Sequence, residues 1–529
     1  MNAITDLSRR GLLISLTAAG ASFAMAVPAQ AAESYAPTIW YTIGRDGQVV
    51  VNIIRAEMGQ HVGTAIARIV ADELEADWSK VKFLHVDTDP KWGLMVTGGS
   101  WSIWQSYPLY SQAAAAGRLA LLDAGAKLLG VPAASCVARN GAVVAGGKSV
   151  SYGDIVARGE LRGGFSADEL AKLPLKKAAD RRLIGKPAPA QDIPTKTDGS
   201  GIYGIDAKVP GMVYARPVLP PTRYGCKVAT LDETGSKKVP GYLRTVALED
   251  PSDNVTGWVM VYGESWVAAN RAAEALKVTW TTPPEAKVSE ADLQARARAL
   301  IADKSKGSLA VEDPGVDAAF AAAKSKLERT YTTATALHFQ LEPVNALAFE
   351  KDGVFEIHTG NQWQSLVLPW LAKALGRKEE TIVLRTHLLG GGFGRRLDGD
   401  YAVGAALASK AIGGKPVKMV LARAEDTRFD CPRSPSVQTL RMAFGEGGRV
   451  TAMEHHCCAG WPTEAMAPFF MPKGANGVAF DPFAINGANH WYNVGAHRVR
   501  AIGNDLANKT FRPGWLRSVG PGFTNWALE

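Results

Sequence analysis

Residues 390–394 of this chain read Gly-Gly-Gly-Phe-Gly, and Arg395 and Arg396 follow at once. Side chains there would block the left-handed backbone angles and close approach that glycine permits, so the turn is built to lie hard against something. It comes after the β-rich run Thr381 to Leu389 and before a helix predicted over Tyr401 to Ile412, which Gly413-Gly414 caps. A strand–turn–helix of this kind offers backbone N–H groups and a favourable field to anionic groups. Two familiar readings are excluded. No Gly-Lys-Ser/Thr ending completes a P-loop, and Arg395 stands where a dinucleotide fingerprint needs its third glycine. Taken alone, such a turn is structural more often than ligand-binding.

With 529 residues, 47% hydrophobic and 21% charged, the chain can bury a large core and divide into two or three domains. Its net charge of +8 is spread along the sequence without a Lys/Arg block, which argues against a nucleic-acid partner. Ser8-Arg9-Arg10, the apolar run from Leu12 to Val27 and Ala29-Gln30-Ala31 form a twin-arginine export signal over residues 1–31. That run falls short of the ~20 residues a spanning helix needs, so a soluble protein delivered to the periplasm is expected. The five cysteines, Cys136, Cys226, Cys431, Cys457 and Cys458, show no CxxC spacing, so no iron–sulfur cluster is expected on this chain. His455-His456-Cys457-Cys458 reads as a strand, because neighbours on a strand face opposite ways and cannot all reach one metal. No side-chain metal site is expected.

Alternation around Asp46-Gly47 predicts a hairpin over Thr38 to Ile54. Ile66, Ile69, Val70, Leu74 and Trp78 then mark one face of a helix with Arg68, Asp72 and Glu75 outward. A strand over Val81 to Val86, an Ala-rich helix over Gln112 to Leu129 and a hairpin at Asn140-Gly141 follow. Residues 186–194 read as a linker. Beyond it, a strand over Trp258 to Tyr262, a helix over Trp266 to Leu276 and a strand over Lys277 to Trp280 suggest a compact α+β module. Residues 281–328 are expected to be helical and charged, and strands to dominate from Tyr331 with one clear helix.

Gly-Gly-Gly-Phe-Gly before a basic residue resembles the molybdenum hydroxylases, the superfamily of xanthine and aldehyde oxidoreductases, and other stretches share the likeness in the same order. Gln362, in Thr359-Gly360-Asn361-Gln362, matches the family glutamine that hydrogen-bonds an oxygen ligand of the metal. Arg423-Ala424-Glu425-Asp426 resembles the family's Arg-Glu-Glu-Asp, and Arg433 falls where purine-oxidising members keep a substrate-contacting arginine. Arg517-Ser518-Val519-Gly520 resembles the Arg-Gly-Phe-Gly loop near the cofactor, and Leu341-Glu342-Pro343-Val344-Asn345 the Met-Glu-Pro-Met-Asn stretch before it. Ile193-Pro194-Thr195-Lys196 through Met212 is similar to the entry of the family's α/β hammerhead domain. Glu57-Met58-Gly59-Gln60 with Thr64, and Thr97-Gly98-Gly99-Ser100-Trp101-Ser102, resemble a pterin-binding segment that other members carry near their C terminus. This order marks the branch of the isoquinoline 1-oxidoreductase large subunit and related exported aldehyde dehydrogenases. His61 replaces the glycine usual after Gln60.

The resemblance implies an α+β fold: an aldehyde oxidoreductase α/β hammerhead domain at 195–300, with cofactor-domain pieces at 32–185 and 301–529. It assigns Gln362, Gly391, Gly392, Phe393, Gly394, Arg395, Arg517, Gln60, Gly98, Gly99 and Ser100 to molybdopterin, in its cytosine dinucleotide form with molybdenum. Leu397, Arg433 and Val519 are assigned to the substrate pocket. Where purine oxidisers carry a glutamate and an aromatic, Leu397 and Val519 cannot pair with or stack on a purine, so aldehydes or N-heteroaromatics such as isoquinoline are the expected substrates. The family reaction hydroxylates an electron-poor carbon with water-derived oxygen, a glutamate acting as base in a Gly-Glu loop. The sequence ends at Glu529, which matches a helix residue, so the chain itself is expected to hold no catalytic base. Either a separate C-terminal polypeptide supplies that part or the sequence is a truncated product without activity, and a [2Fe–2S] ferredoxin-like small subunit and a periplasmic cytochrome are the expected partners. The alternative is a non-catalytic binding or scaffold protein of the same fold.

Overall fold

The computed structural model describes residues 33–529, so the expected export signal at 1–31 lies outside the described residues. Two compact units emerge: one comprises residues up to Ala207 with 358–365 and 380–390, the other 208–357, 366–379 and 391–529. No helix among the described residues is long and apolar enough to cross a membrane.

In the first unit, strands Ser34–Thr38, Tyr41–Gly44, Val49–Ile53 and Val81–His85 form one sheet in sequence order, the last pair parallel. Val49, Val51 and Ile53 are buried while Val50 and Asn52 between them are half-buried, the period-two pattern of a strand with one face on the core. Asp46-Gly47 turns the expected hairpin, with the Asp46 carboxylate accepting from the Gln48 N–H at 2.9 Å and Gly47 at φ 77°.

Helix Val62–Leu74 starts after His61, whose φ of 58° is left-handed, and stops at Glu75 with φ 57°. Trp78 therefore belongs to a separate 3-10 turn, Trp78–Lys80. The expected outward face of this helix is corrected: Asp72 is fully buried. Its carboxylate accepts N–H bonds from Arg182, Leu183 and Ile184 at 2.9–3.2 Å and pairs with Lys176 at 3.1 Å. Burial opposes the charged form, yet those N–H groups and Lys176 outweigh it and lower the Asp72 pKa. Arg68 donates to the Leu183 and Lys186 carbonyls, and Glu75 pairs with Arg182 at 2.6 Å. The polar face of the helix thus holds the 176–186 segment, and no regular element occurs from 181 to 192.

The Ala-rich helix runs Ser106–Leu129, six residues longer than expected, because Pro108 lies in the first turn where a missing N–H costs nothing. Gly117 lets it close on Tyr41, whose hydroxyl would lie 1.9 Å from an added Cβ. Asn140 (φ 46°) and Gly141 (φ 77°) make the second hairpin between Val137–Arg139 and Ala142–Ala145.

In the second unit, strands Tyr242–Ala247, Val259–Gly263, Val213–Val218, Val417–Val420 and Asn345–Lys351 are neighbours in that order. Helix Trp266–Ala275 puts Ala272 and Ala273 on Val259 and Val261, the core of the expected α+β module. A five-stranded sheet runs Ser308–Glu312, Ala496–Gly503, Val450–Ala459, Ser436–Phe444, Ser325–Thr333. His455-His456-Cys457-Cys458 lies inside its strand Val450–Ala459. The helical reading of 281–328 is corrected: helices Glu290–Ala302 and Val316–Ala322 alternate with the sheet's two edge strands. Edge strands face solvent on one side, so their charged composition mimicked a helix surface. Beyond Tyr331 there is more helix than expected, since Gln364–Leu375 is helical through Pro369. The interior proline argued against that helix in the sequence.

Candidate functional site

Residues 391–394 of the glycine turn belong to the second unit. Gly391 (φ 91°) and Gly394 (φ 110°) are left-handed, and so is Phe393 at 54°, a residue 38% exposed. A Cβ on Gly394 would lie 1.7 Å from the Trp515 carbonyl oxygen. Phe393 O accepts the Arg517 N–H at 2.8 Å. Two stretches of chain, 124 residues apart at this bond, are thereby locked backbone to backbone. The Arg517 side chain is exposed, while Ser518 and Val519 continue in left-handed conformation at 73° and 50°. For a β-branched residue that is a strained angle, tolerated where the surroundings impose it.

Arg395 and Arg396 are fully buried beneath the turn. Arg396 donates to Gly391 O at 3.0 Å and, through Nη2, to the carbonyl and carboxylate of Glu342, both at 2.9 Å. Arg395 engages Asp400 at 3.0 and 3.1 Å and Asp430 at 3.3 Å. Asp430 also holds His338, accepting its backbone N–H at 2.8 Å and facing Nδ1 at 3.0 Å. Farther in, Arg512 pairs with Asp398 at 3.0 Å and Arg223 with Asp400 at 3.0 Å. Burial works against the Asp398 charge, yet Arg512, Arg223 and Arg395 hold its pKa well below the usual carboxylate value. Asp398, Asp400 and Cys431 approach within 4.8 Å of one another, but three arginines already neutralise the carboxylates. Burial pushes the Cys431 thiol pKa up, leaving it a neutral donor to Asp398 at 3.1 Å.

Leu397 is buried, whereas Val519 and Arg433 are half-buried. Arg433 packs on Gly522, where a Cβ would collide with Nη1 at 1.8 Å. Its Nε is buried without a partner. Burial lowers the pKa of this guanidinium.

The remaining candidates lie in the first unit. Gln362 is buried and bound reciprocally to Thr97: its side-chain Nε2 donates to Thr97 O at 2.9 Å, and its backbone carbonyl accepts the Thr97 N–H at 2.6 Å. Thr97 Oγ1 accepts the Ala56 N–H at 2.7 Å, so the Gln362, Gly98–Ser100 and Glu57–Gln60 segments share one root. Gly99 (φ 58°) and Ser100 (φ 60°) are left-handed and exposed. Gln60 folds back on its own turn, Nε2 donating to Ala56 O at 2.8 Å and Oε1 accepting the Met58 N–H at 2.7 Å. His61 stands in the left-handed region at φ 58°, an angle glycine adopts without a steric penalty.

Glu57 organises this turn, accepting N–H bonds from Gly59, His61 and Val62 at 2.9–3.1 Å. Lys196 bridges it to Asp192 at 2.6 and 2.5 Å. Glu57, His61 and Asp192 could hold a metal by proximity, but the Lys196 ammonium already lies among them. Burial opposes the Asp192 charge, and Lys196 and His61 overcome it, lowering its pKa. Glu57 and Thr97 stood in the sequence only as members of motifs, and the pairing of His338 with Asp430 carried no signal there, because those two residues lie 92 positions apart.

Residues 300–488 match a molybdopterin cofactor-binding domain, and residues 2–183 match a second such domain. The chain is 57% identical over 537 residues to the membrane-bound aldehyde dehydrogenase [pyrroloquinoline-quinone] of Gluconacetobacter polyoxogenes, covering 99% of this chain and 70% of that protein. It is 28% identical to the isoquinoline 1-oxidoreductase subunit beta of Brevundimonas diminuta, covering 99% and 72%. Among solved structures, the aldehyde oxidoreductase from Desulfovibrio gigas shares the fold with a TM-score of 0.52 at 19% identity, over 71% of this chain and 44% of that one.

Proposed function

We propose, on the premise that this chain belongs to the molybdenum hydroxylase superfamily, that it is the molybdopterin-binding large subunit of an oxidoreductase hydroxylating aldehydes or N-heteroaromatics with oxygen from water. The observation that carries the reading is near-full-length 57% identity to a protein named as an aldehyde dehydrogenase, together with two molybdopterin-domain matches. The quinone in that relative's name belongs to that relative, and the two domain matches favour molybdopterin here.

The residues present suit an organic cofactor held mainly by backbone. Gly391, Gly394 and Gly99 are left-handed, and added Cβ atoms there would meet Phe393, Trp515 and Trp101 at 2.9, 1.7 and 2.7 Å. In the second unit, loop 391–394 and Arg517 would contact the cofactor, Arg395 bracing that loop through Asp400 and Asp430; the cofactor contacts of the first unit, taken by itself, would be loop 98–100 and Gln362. When bound, the molybdenum centre supplies the acceptor for the electron pair of the carbon–hydrogen bond that breaks. This chain's own part is to orient and select. Leu397, which is buried, and Val519, which is half-buried, carry no group that could pair with purine edges, and Arg433 offers one polar contact. The cytosine dinucleotide form, twin-arginine export to the periplasm, a [2Fe–2S] small subunit and a cytochrome acceptor complete the proposal.

Purifying the complex from its natural host tests it. Metal analysis should find about one molybdenum per chain, and a dye-linked assay should rank an aldehyde first, isoquinoline and nicotinate behind it and xanthine last. Comparable turnover of xanthine overturns the substrate reading. Molybdenum-free protein from cells competent in cofactor synthesis leaves only the scaffold alternative.

A further inference from the structure

A cavity of about 350 Å³ opens within the second unit, between three stretches far apart in sequence. Tyr224 and Gly225 come from the loop ahead of strand Lys227–Asp232, Pro283 and Glu285 from a tight turn, and Asn508 and Lys509 from helix Asp505–Thr510. The volume lies in the range of small-molecule sites. Loop and turn close firmly on one side, since a Cβ on Gly225 (φ 72°) would meet the Pro283 ring at 3.0 Å.

The wall combines apolar surface with polar groups that the fold does not use. Tyr224 and Pro283 supply the apolar part. Asn508 is committed, its Oδ1 accepting the Trp461 N–H at 2.9 Å and its Nδ2 donating to Glu464. Glu285 and Lys509 are not: among the described residues neither side chain has a hydrogen bond or an ion pair. Asp505, one turn before Lys509, is already paired with Arg296 at 2.9 Å. The Tyr224 hydroxyl is half used. Its oxygen accepts the Arg512 Nε–H at 3.3 Å, and a guanidinium can only donate, so the phenolic hydrogen is left for another acceptor. Arg512 is itself buried and held by Asp398 at 3.0 Å, which fixes the hydroxyl in place and polarises it toward that acceptor.

A donor and a cation, a separate anion and an apolar wall together describe one kind of ligand. We propose that this cavity binds a small zwitterion of the amino-acid class with an apolar side chain. Its carboxylate goes to the Tyr224 hydroxyl and the Lys509 ammonium, its ammonium to Glu285, and its side chain onto Tyr224 and Pro283. A simple carboxylate would leave Glu285 facing a like charge, and a simple amine would do the same at Lys509. The site stands apart from the molybdopterin reading, in which none of the lining residues has a role.

Calorimetric titration of the purified full chain tests it, with L-leucine compared to isocaproate and isoamylamine, which lack its amine and its carboxylate. L-Leucine should bind saturably and at least about tenfold more tightly than either. No binding of L-leucine, or equal binding of all three, overturns the proposal. Glu285→Gln should remove the advantage over isocaproate, and Lys509→Met the advantage over isoamylamine. Neither side chain has a partner to lose, so far-UV circular dichroism and melting temperature should match the wild type. L-Leucine binding that both variants leave unchanged lies elsewhere and also overturns the assignment. Should either variant melt early, Tyr224→Phe supplies the second reading: it keeps the apolar wall, and unchanged affinity for L-leucine in that variant removes the carboxylate contact and the proposal with it.

Discussion

Gly394 leaves no room for even a methyl group, since a Cβ there would sit 1.7 Å from the Trp515 carbonyl oxygen at a φ of 110°. Gly394→Ala must displace either the turn or the Trp515 segment, and we expect it to destabilise the protein by about 2–3 kcal/mol. A lowered melting temperature together with reduced molybdenum content would bear this out, and an unchanged melting curve would contradict the packing. Protonation gives a second prediction. Burial, with neighbouring histidines adding to it, depresses the pKa of His455 to about 3 and of His497 to about 4, and burial lowers that of His490. The His490 and His497 rings lie 4.7 Å apart, so charging one hinders charging the other. The fold favours the neutral rings while the unfolded chain takes up protons near its ordinary value of 6.5. Stability is therefore kept above that pH and lost as pH falls through the window toward 3, by up to about 1.4 kcal/mol per pH unit for each histidine. Urea unfolding from pH 7 to 4 should show the decline, and His497→Gln should flatten it. At this scale the sequence displayed the glycines but not what they press against, because the partners of Gly394 and Arg395 are set by the path of the chain.

Helices and hairpins were legible where local chemistry suffices. Asn140-Gly141 takes the left-handed pair its composition demands, and Gly414 closes the end of helix Asp400–Lys410 by donating to Ser409 O at 2.9 Å. Ser289 and Asp292 make a reciprocal capping box at the start of Glu290–Ala302. Ser289→Ala should cost about 1 kcal/mol, measurable as a shift in denaturation midpoint, and should leave molybdenum content unchanged because the cap is exposed. A fall in metal content as large as that in Gly394→Ala would mean the helix does more than carry its own cap. Legibility failed where tertiary packing overrides local preference. Gln364–Leu375 stays helical through Pro369, and Asp72 is buried because the 176–186 segment brings N–H groups and Lys176 to it.

At the scale of the molecule, the first unit is assembled from three stretches of chain, since 358–365 and 380–390 join the N-terminal residues. Thr88 and Leu384 exchange hydrogen bonds at 3.1 and 2.9 Å, and Thr97 and Gln362 do the same. A fragment comprising residues 33–207 should thus lack part of its own structure. Hydrogen exchange should find the Thr88 and Thr97 amides protected in the full chain and open in the fragment; equal protection would show that the inserted stretches add nothing. The sequence by itself determined the glycine turn, most local elements and the family resemblance, because these depend on residue types a few positions apart. Only the tertiary structure decided that Gln362 roots on Thr97, that Arg395 and Arg396 brace the turn from beneath, and that Tyr224, Glu285 and Lys509 line one cavity. Hydrogen bonds and buried charges are satisfied by whatever the folded chain brings within about 3 Å, and that proximity is a property of the path through space.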